Sequence, residues 1–111
     1  MTPSEALERL WTICTAYDNV SEKLSHGERA FFVRGRQFLT TADRHHDDRV
    51  GFWAAAAPLA QEILVANAPE LYFRPPYVGH RGWIGMWLDG PFEWSDVEAR
   101  VDEAYRTIRA K

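Results

Sequence analysis

The chain has 111 residues, and 46% of them are hydrophobic, a fraction that excludes a disordered chain. A chain of this length can bury one core and is too short for two, so we predict one domain over residues 1–111. No apolar run reaches the roughly 20 residues that span a bilayer, which excludes a membrane-spanning helix. The formal net charge of −3 disfavours nucleic-acid binding unless the positive charges gather on one surface, because phosphate affinity depends on them.

The N-terminal segment is predicted to form an amphipathic helix. Thr2 and Glu5 fit a capping box, with Pro3 at the first helical position. The first residues lack the basic and apolar segments of a secretory signal, so we expect a cytoplasmic protein. An apolar stripe at helical spacing follows and extends the helix to about residue 17; it is formed by Leu7, Leu10, Trp11, Cys14 and Tyr17.

Cys14 is the only cysteine of the chain. A single cysteine excludes an intrachain disulfide and a multi-cysteine metal site. Because it lies on the apolar stripe of the first helix, we interpret it as a small buried core residue.

Three short strands are predicted next, over residues 23–25, 30–34 and 36–41, because these stretches are rich in aromatic and branched side chains. Gly35 lies between the second and third and indicates a tight hairpin turn that requires positive φ. A polar loop over residues 42–49 leads to a fourth, apolar strand over residues 50–54.

The second half of the chain is predicted to contain two helices and one strand. Pro58 suits the first turn of a helix that ends at residues 67–69. This helix is expected to pack on the sheet through a face formed by Leu59, Ile63 and Ala66. Pro75 and Pro76 favour an extended segment, and residues 82–88 predict a strand with Trp83 and Trp87 on one side.

The last helix is predicted from a second capping box, Ser95 with Glu98. Its apolar face is formed by Val97, Val101, Ala104, Tyr105 and Ile108. Helices on one face of a mainly antiparallel sheet are the economical packing for this order of elements. The predicted fold class is therefore a two-layer α+β domain.

Histidines and carboxylates are the candidate catalytic or metal-binding groups of the chain. His45, His46, Asp47 and Asp48 are adjacent in sequence, but adjacent side chains of an extended segment point in different directions, so we interpret them as a solvated loop. His26 and His80 each neighbour a glycine, which is typical of turns. The chain has no Gly-x-Ser-x-Gly elbow and no glycine-rich phosphate loop. The sequence thus predicts no catalytic residue, no metal and no cofactor, in a protein that is not an enzyme.

Two stretches contain arginines and aromatic residues but no Asp or Glu. Residues 29–42 include Arg29, Arg34 and Arg36, and residues 71–88 include Arg74 and Arg81. If the stretches meet in space, arginines for phosphate contacts and aromatic rings for stacking would share one surface. The alternative is that the aromatic side chains build the core and the arginines solubilise one side of a sheet.

Four segments, in the right order, resemble the MmcQ/YjbR family of small bacterial proteins. They are SEKLSHG at 21–27, AFFVRGRQF at 30–38, PPYVGHRGWI at 75–84 and EAYR at 103–106. The resemblance implies a two-layer α+β domain with a double-wing arrangement, similar to secretion-chaperone-like folds, and DNA binding. By position, the hairpin at residues 34–36 would be the first wing, beside Tyr77, His80, Arg81 and Trp83. The resemblance implies no catalytic residue and no cofactor.

Three hypotheses about function follow. The leading one is a non-enzymatic DNA-binding domain whose phosphate contacts come from Arg29, Arg34, Arg36 and Arg81. The second is a protein-binding or small-ligand-binding module that uses residues 75–83, with Tyr77, His80 and Trp83 on the surface. The third is an enzyme that uses His26, His80 or the pair at 45–46. The sequence leaves the oligomeric state open.

Overall fold

The computed structural model describes residues 1–44 and 48–111; His45, His46 and Asp47, the core of the predicted polar loop, lie outside the described residues. The helices are α1 (Pro3–Thr15), α2 (Ala60–Asn67), α3 (Trp94–Arg109) and a short 3₁₀ helix (Gly79–Arg81). The strands are β1 (Val20–Ser25), β2 (Glu28–Val33), β3 (Arg36–Asp43), β4 (Val50–Ala54), β5 (Tyr72–Phe73) and β6 (Ile84–Trp87). In the described residues no helix is long and apolar enough to cross a membrane.

The strands form one antiparallel sheet in the order β1-β2-β3-β4-β6-β5. Both of the first two hairpins turn through two residues with positive φ, His26-Gly27 and Arg34-Gly35. Such turns match the twist of the paired strands and favour glycine at the second position. The hairpin predicted at Gly35, which has a φ of 77°, is therefore confirmed.

A β-bulge in β3 directs two successive side chains, one aromatic and one aliphatic, into the core. The register runs from Phe31 opposite Leu39 to Phe32 opposite Gln37, which leaves Phe38 as an extra residue. Phe38 and Leu39 are consequently both fully buried, whereas regular alternation would send one of them to the other face.

The core lies between the sheet and the helices α1 and α3, which contact each other. All five residues of the predicted apolar face of α3 are buried. The capping box of α1 is present, since the Thr2 amide donates to Glu5 Oε1 and the Glu5 amide donates to Thr2 Oγ1. Cys14 is buried as predicted, and burial raises the pKa of its thiol. The predicted α+β class, with an antiparallel sheet, is confirmed.

The predicted packing face of α2 is wrong. Leu59 is 71% exposed and Ile63 is 55% exposed, and Ala66 is exposed as well. The helix begins at Ala60, after Pro58, and the residue it buries is Gln61. The inward face instead contains Gln61, whose amide has hydrogen-bond partners in the protein interior, and the partly buried Leu64 and Val65 at helical spacing from it.

Two further differences concern the ends of elements, and a third concerns a short strand. The α3 helix begins at Trp94 and Ser95 does not cap it; instead the Trp94 ring packs edge-on against Phe92, with centroids 5.0 Å apart. The strand predicted over 82–88 is shorter, because Gly82 ends the 3₁₀ helix with a φ of 82°. The two-residue strand β5 was not predicted, since so short a stretch leaves no periodic signal.

Asp102 of α3 connects that helix to the segment after α1. The Tyr17 hydroxyl donates to Asp102 Oδ1 at 3.0 Å and Arg106 Nε donates to Asp102 Oδ2 at 2.9 Å. The Arg106 hydrogen bond, and then that from Tyr17, hold the pKa of the Asp102 carboxyl below its ordinary value of 3.8, and burial raises the pKa of Tyr17 to about 12.

We expect the Asp102→Asn variant to be less stable than the wild type at neutral pH, and the difference to close in acid. A carboxyl whose pKa is depressed by folding contributes stability above its unfolded pKa and loses that contribution as the pH falls through the folded value. The window therefore lies below the ordinary value of 3.8. Urea unfolding at a series of pH values measures it, with the exposed Glu98→Gln on the same helix as control. A difference that stays constant down to low pH would contradict the assignment.

Candidate functional site

A cavity of about 460 Å³ lies where the start of β3, the 3₁₀ helix and the end of α3 meet. Its polar lining residues are Arg36, Gln37, Arg81, Thr107 and Lys111, and its apolar floor includes Trp83 and Ile108. The described lining contains three cations and no Asp or Glu. We call it the basic cavity.

The hairpin turn at residues 34–35, between β2 and β3, contacts the end of α3. Arg34 is in the left-handed region, with a φ of 54°, and its Nη1 donates to the Arg109 carbonyl oxygen at 3.1 Å. That carbonyl belongs to the last turn of α3, whose free carbonyl groups attract cations. Arg36, two residues on, is the first residue of β3 and is exposed. The turn thus adds a fourth positive charge beside the cavity.

Arg81 is held in place by a side chain of α2. Gln61, 4% exposed, donates from Nε2 to the Gly79 carbonyl at 2.9 Å and to the Trp83 carbonyl at 2.5 Å. These two carbonyls flank Arg81, so the short 3₁₀ helix is fixed at both ends. The Arg81 guanidinium lies 5.3 Å from the centroid of the Trp83 ring, a cation–π distance.

A second cavity, of about 510 Å³, adjoins the basic cavity and shares Gln37 with it. Its lining includes Trp53, Tyr77 and Val78, together with Ser25, His26, Glu28 and Thr40. The rings of Trp53 and Tyr77 are tilted by 52° with centroids 6.4 Å apart. We call it the aromatic cavity.

Tyr77 is presented by an unusual turn. Its φ is 66°, and the Val78 amide donates to the Pro76 carbonyl across it at 2.6 Å. This is the γ-turn with positive φ, which is rare and strained for a residue with a side chain. The ring is nonetheless 72% exposed. Residues with strained backbone conformations cluster at active sites and ligand-binding sites.

Arg29 and Arg49 form ion pairs and do not line the basic cavity. Arg29 lies beside two carboxylates, with its Nη2 3.4 Å from Glu8 and its Nε 3.6 Å from Glu22. Arg49 pairs with Asp89 at 2.8 Å. Among the residues that the structure describes, no acidic side chain lies within ion-pair distance of Arg36, Arg81 or Lys111. The described lining of the basic cavity is therefore positive although the net charge of the chain is −3.

The structure brings together part of the predicted site. Arg36 and Arg81 line one cavity with Arg34 beside it, and Tyr77 lies in the adjoining one. Arg29 lies against α1 and β1, and His80 is exposed on the 3₁₀ helix and lines neither cavity. Trp83, predicted as a surface residue, is only 4% exposed, because it packs into the core behind Arg81.

Sequence reasoning missed Lys111, Gln37 and Trp53. Lys111 follows α3 and reaches the cavity only because the hairpin turn contacts the end of that helix. The sequence predicts strands at Gln37 and Trp53 but indicates no functional role for them; both belong to the sheet face opposite the core. In the described residues, no group of three or more His, Cys, Asp or Glu side chains is placed to hold a metal ion.

The comparison with protein families gives a match to the YjbR family model over residues 15–107. The chain belongs to the YjbR family. A solved structure, the crystal structure of Deinococcus radiodurans protein DR2400 with family-model domain DUF419, is similar to this chain with a TM-score of 0.82 and 16% sequence identity. The match covers 99% of this chain and 83% of that chain, and at this identity it shows the fold alone. A comparison with curated proteins found no match.

The matched range, residues 15–107, includes the hairpin turn at 34–35, the 3₁₀ helix and most of α3. It contains every described lining residue of the two cavities except Ile108 and Lys111. The family match confirms the resemblance to the YjbR family that was inferred from four short segments.

Proposed function

We propose that this YjbR domain is a non-enzymatic nucleic-acid-binding domain, with DNA as the first candidate, and that the basic cavity contacts the phosphate backbone. The observation that carries the proposal is that Arg36, Arg81 and Lys111, from three separate segments, line one cavity whose described lining holds no Asp or Glu. Segregated positive charge of this kind is what an acidic chain requires to bind a polyanion.

The chemistry of the lining favours binding over catalysis. Beside the cations, the cavity offers the amide of Gln37 and the hydroxyl of Thr107, which donate hydrogen bonds to phosphate oxygens. Contacts of this type are independent of base sequence. The cytoplasmic location and the double-wing arrangement expected from the sequence stay predictions.

We expect binding of a short labelled DNA, followed by fluorescence anisotropy, to weaken steeply with added salt. The double variant Arg36→Gln with Arg81→Gln should reduce the slope of log affinity against log salt by about two, roughly one per cation removed. Both side chains are exposed, so the variant retains the fold.

The matched control is Arg9→Gln with Arg29→Gln, which removes the same charge from α1 and from the residue beside Glu8 and Glu22. It should leave the salt slope unchanged. Absence of binding at low salt, or an equal loss in the control, would reject the proposal.

A second candidate function is favoured by the aromatic cavity. Its volume of about 510 Å³ is within the range of small-molecule sites, roughly 300–1,000 Å³, and it lies on the 75–83 segment. The probe is adenosine, which is uncharged and carries a flat base. Calorimetric binding of adenosine that is insensitive to salt, with no binding of DNA, would favour a small-ligand module instead.

A further inference from the structure

The two cavities form a continuous surface. Arg36 lines the basic cavity, and its neighbour Gln37 lines both that cavity and the aromatic one. Consecutive Cα atoms lie about 3.8 Å apart, so the change from a cationic lining to an aromatic lining occurs over a single residue of β3. A ligand that combines an anionic group with an attached flat ring would contact both.

We propose that the domain binds single-stranded rather than duplex nucleic acid, with a phosphate in the basic cavity and an unpaired base stacked on Tyr77 in the aromatic cavity. This inference rests on the nucleic-acid-binding function proposed above and specifies the form of its ligand.

Charge assigns the two parts of a nucleotide to the two cavities. The aromatic cavity contains the Glu28 side chain, whose carboxylate accepts hydrogen bonds from the Thr41 hydroxyl at 2.8 Å and from the Asp43 amide. The basic cavity, with three cations and no Asp or Glu in its described lining, attracts phosphate, whereas the described lining of the aromatic cavity, with one histidine and one glutamate, has no such excess of positive charge. The uncharged base therefore occupies the aromatic cavity and the phosphate the basic one.

The aromatic cavity fits an unpaired base in particular. The exposed ring of Tyr77 offers a stacking face, the Trp53 ring forms the wall 6.4 Å from it, and Gln37 and Thr40 offer hydrogen-bond groups to the edge of the base. A base in a duplex is stacked on both faces and paired at its edge, so it reaches a concave site only after extrusion, which costs a few kcal/mol. An unpaired base avoids this cost.

The test compares three probes of equal length by fluorescence anisotropy: single-stranded oligothymidine, a duplex, and a single strand of abasic residues. We expect the oligothymidine to bind about tenfold more tightly than either other probe, as one stacked base supplies. Tyr77→Asn should abolish this preference and Tyr77→Phe should retain it, because asparagine tolerates positive φ but lacks the ring. Leu24→Asn, at a side chain 79% exposed, is the control for loss of exposed apolar surface and should leave the preference intact.

The outcomes separate this inference from the function on which it rests. Salt-dependent binding of all three probes with equal affinity leaves the nucleic-acid proposal standing and overturns the single-strand inference. An equal loss for duplex and oligothymidine in Tyr77→Asn also overturns it. Failure of every probe to bind at low salt overturns both.

Discussion

Replacement of Phe38 by alanine is expected to lower the free energy of unfolding by about 3–5 kcal/mol, the range for a fully buried Phe. Phe38 is 0% exposed. Its ring lies 5.7 Å from that of Tyr105, edge to face, and 6.5 Å from that of Phe31. The bulge that turns Phe38 inward therefore joins the sheet to α3, and the cavity left by alanine would lie at the centre of the core.

The matched control is Phe32→Ala, on the neighbouring strand β2. Phe32 is half-buried on the opposite face of the sheet, with the Lys23 ammonium 5.2 Å from its ring centroid. Because only part of its apolar surface is buried, the expected loss is roughly 1–1.5 kcal/mol. Urea unfolding of both variants gives the comparison. Equal losses at the two positions would contradict the inward direction of Phe38.

The size of the Phe38 effect matters for function because small domains have a total stability of about 5–15 kcal/mol. The same bulge places Arg36 and Gln37 at the start of β3, where they line the basic cavity. We therefore expect Phe38→Ala to weaken DNA binding at temperatures at which the variant is partly unfolded, and to leave the salt slope of the folded fraction unchanged.

The helices differ in how far their sequence pattern predicts their packing. The five apolar residues of α3 recur at helical spacing and all are buried, because burial of a long apolar stripe dominates the free energy of that helix. The α2 helix has eight residues, too few for its pattern to be decisive. There Gln61, with its interior hydrogen-bond partners, shares the inward face with Leu64 and Val65, whereas Leu59 and Ile63 are exposed.

The candidate site, like the helices, is predicted by the sequence only in part. The absence of acids around Arg34, Arg36 and Arg81 is visible in the sequence and predicts where positive charge gathers. The sequence does not show that Arg29 lies outside the basic cavity. Its neighbours Glu8 and Glu22 belong to other elements and contact it only through strand pairing and helix packing. The contact of the hairpin turn with α3, which brings in Lys111, likewise depends on tertiary structure.

Gln61→Leu is expected to destabilise the domain by about 2–4 kcal/mol, although it replaces a buried residue by one of similar size. The substitution removes the donor of the Trp83 carbonyl and one donor of the Gly79 carbonyl, which retains the Gly82 amide. A buried polar group left without a partner costs about 1–3 kcal/mol, and each further lost hydrogen bond costs about 1 kcal/mol. The Arg74 guanidinium also loses its acceptor on Gln61.

The predicted consequence extends to binding, because Gln61 fixes both ends of the segment that carries Arg81. Amide hydrogen exchange at Arg81 and Gly82, whose amides donate to the Val78 and Gly79 carbonyls, should accelerate more in Gln61→Leu than exchange in β2 and β3 does. The salt slope of DNA binding should fall by up to about one, as for loss of a single cation. Glu62→Leu, at the next and exposed position of α2, is the control and should change neither. Uniform acceleration of exchange across the sheet would show that Gln61 supports the whole fold and not this segment in particular, because local opening and global unfolding differ in the amides they expose.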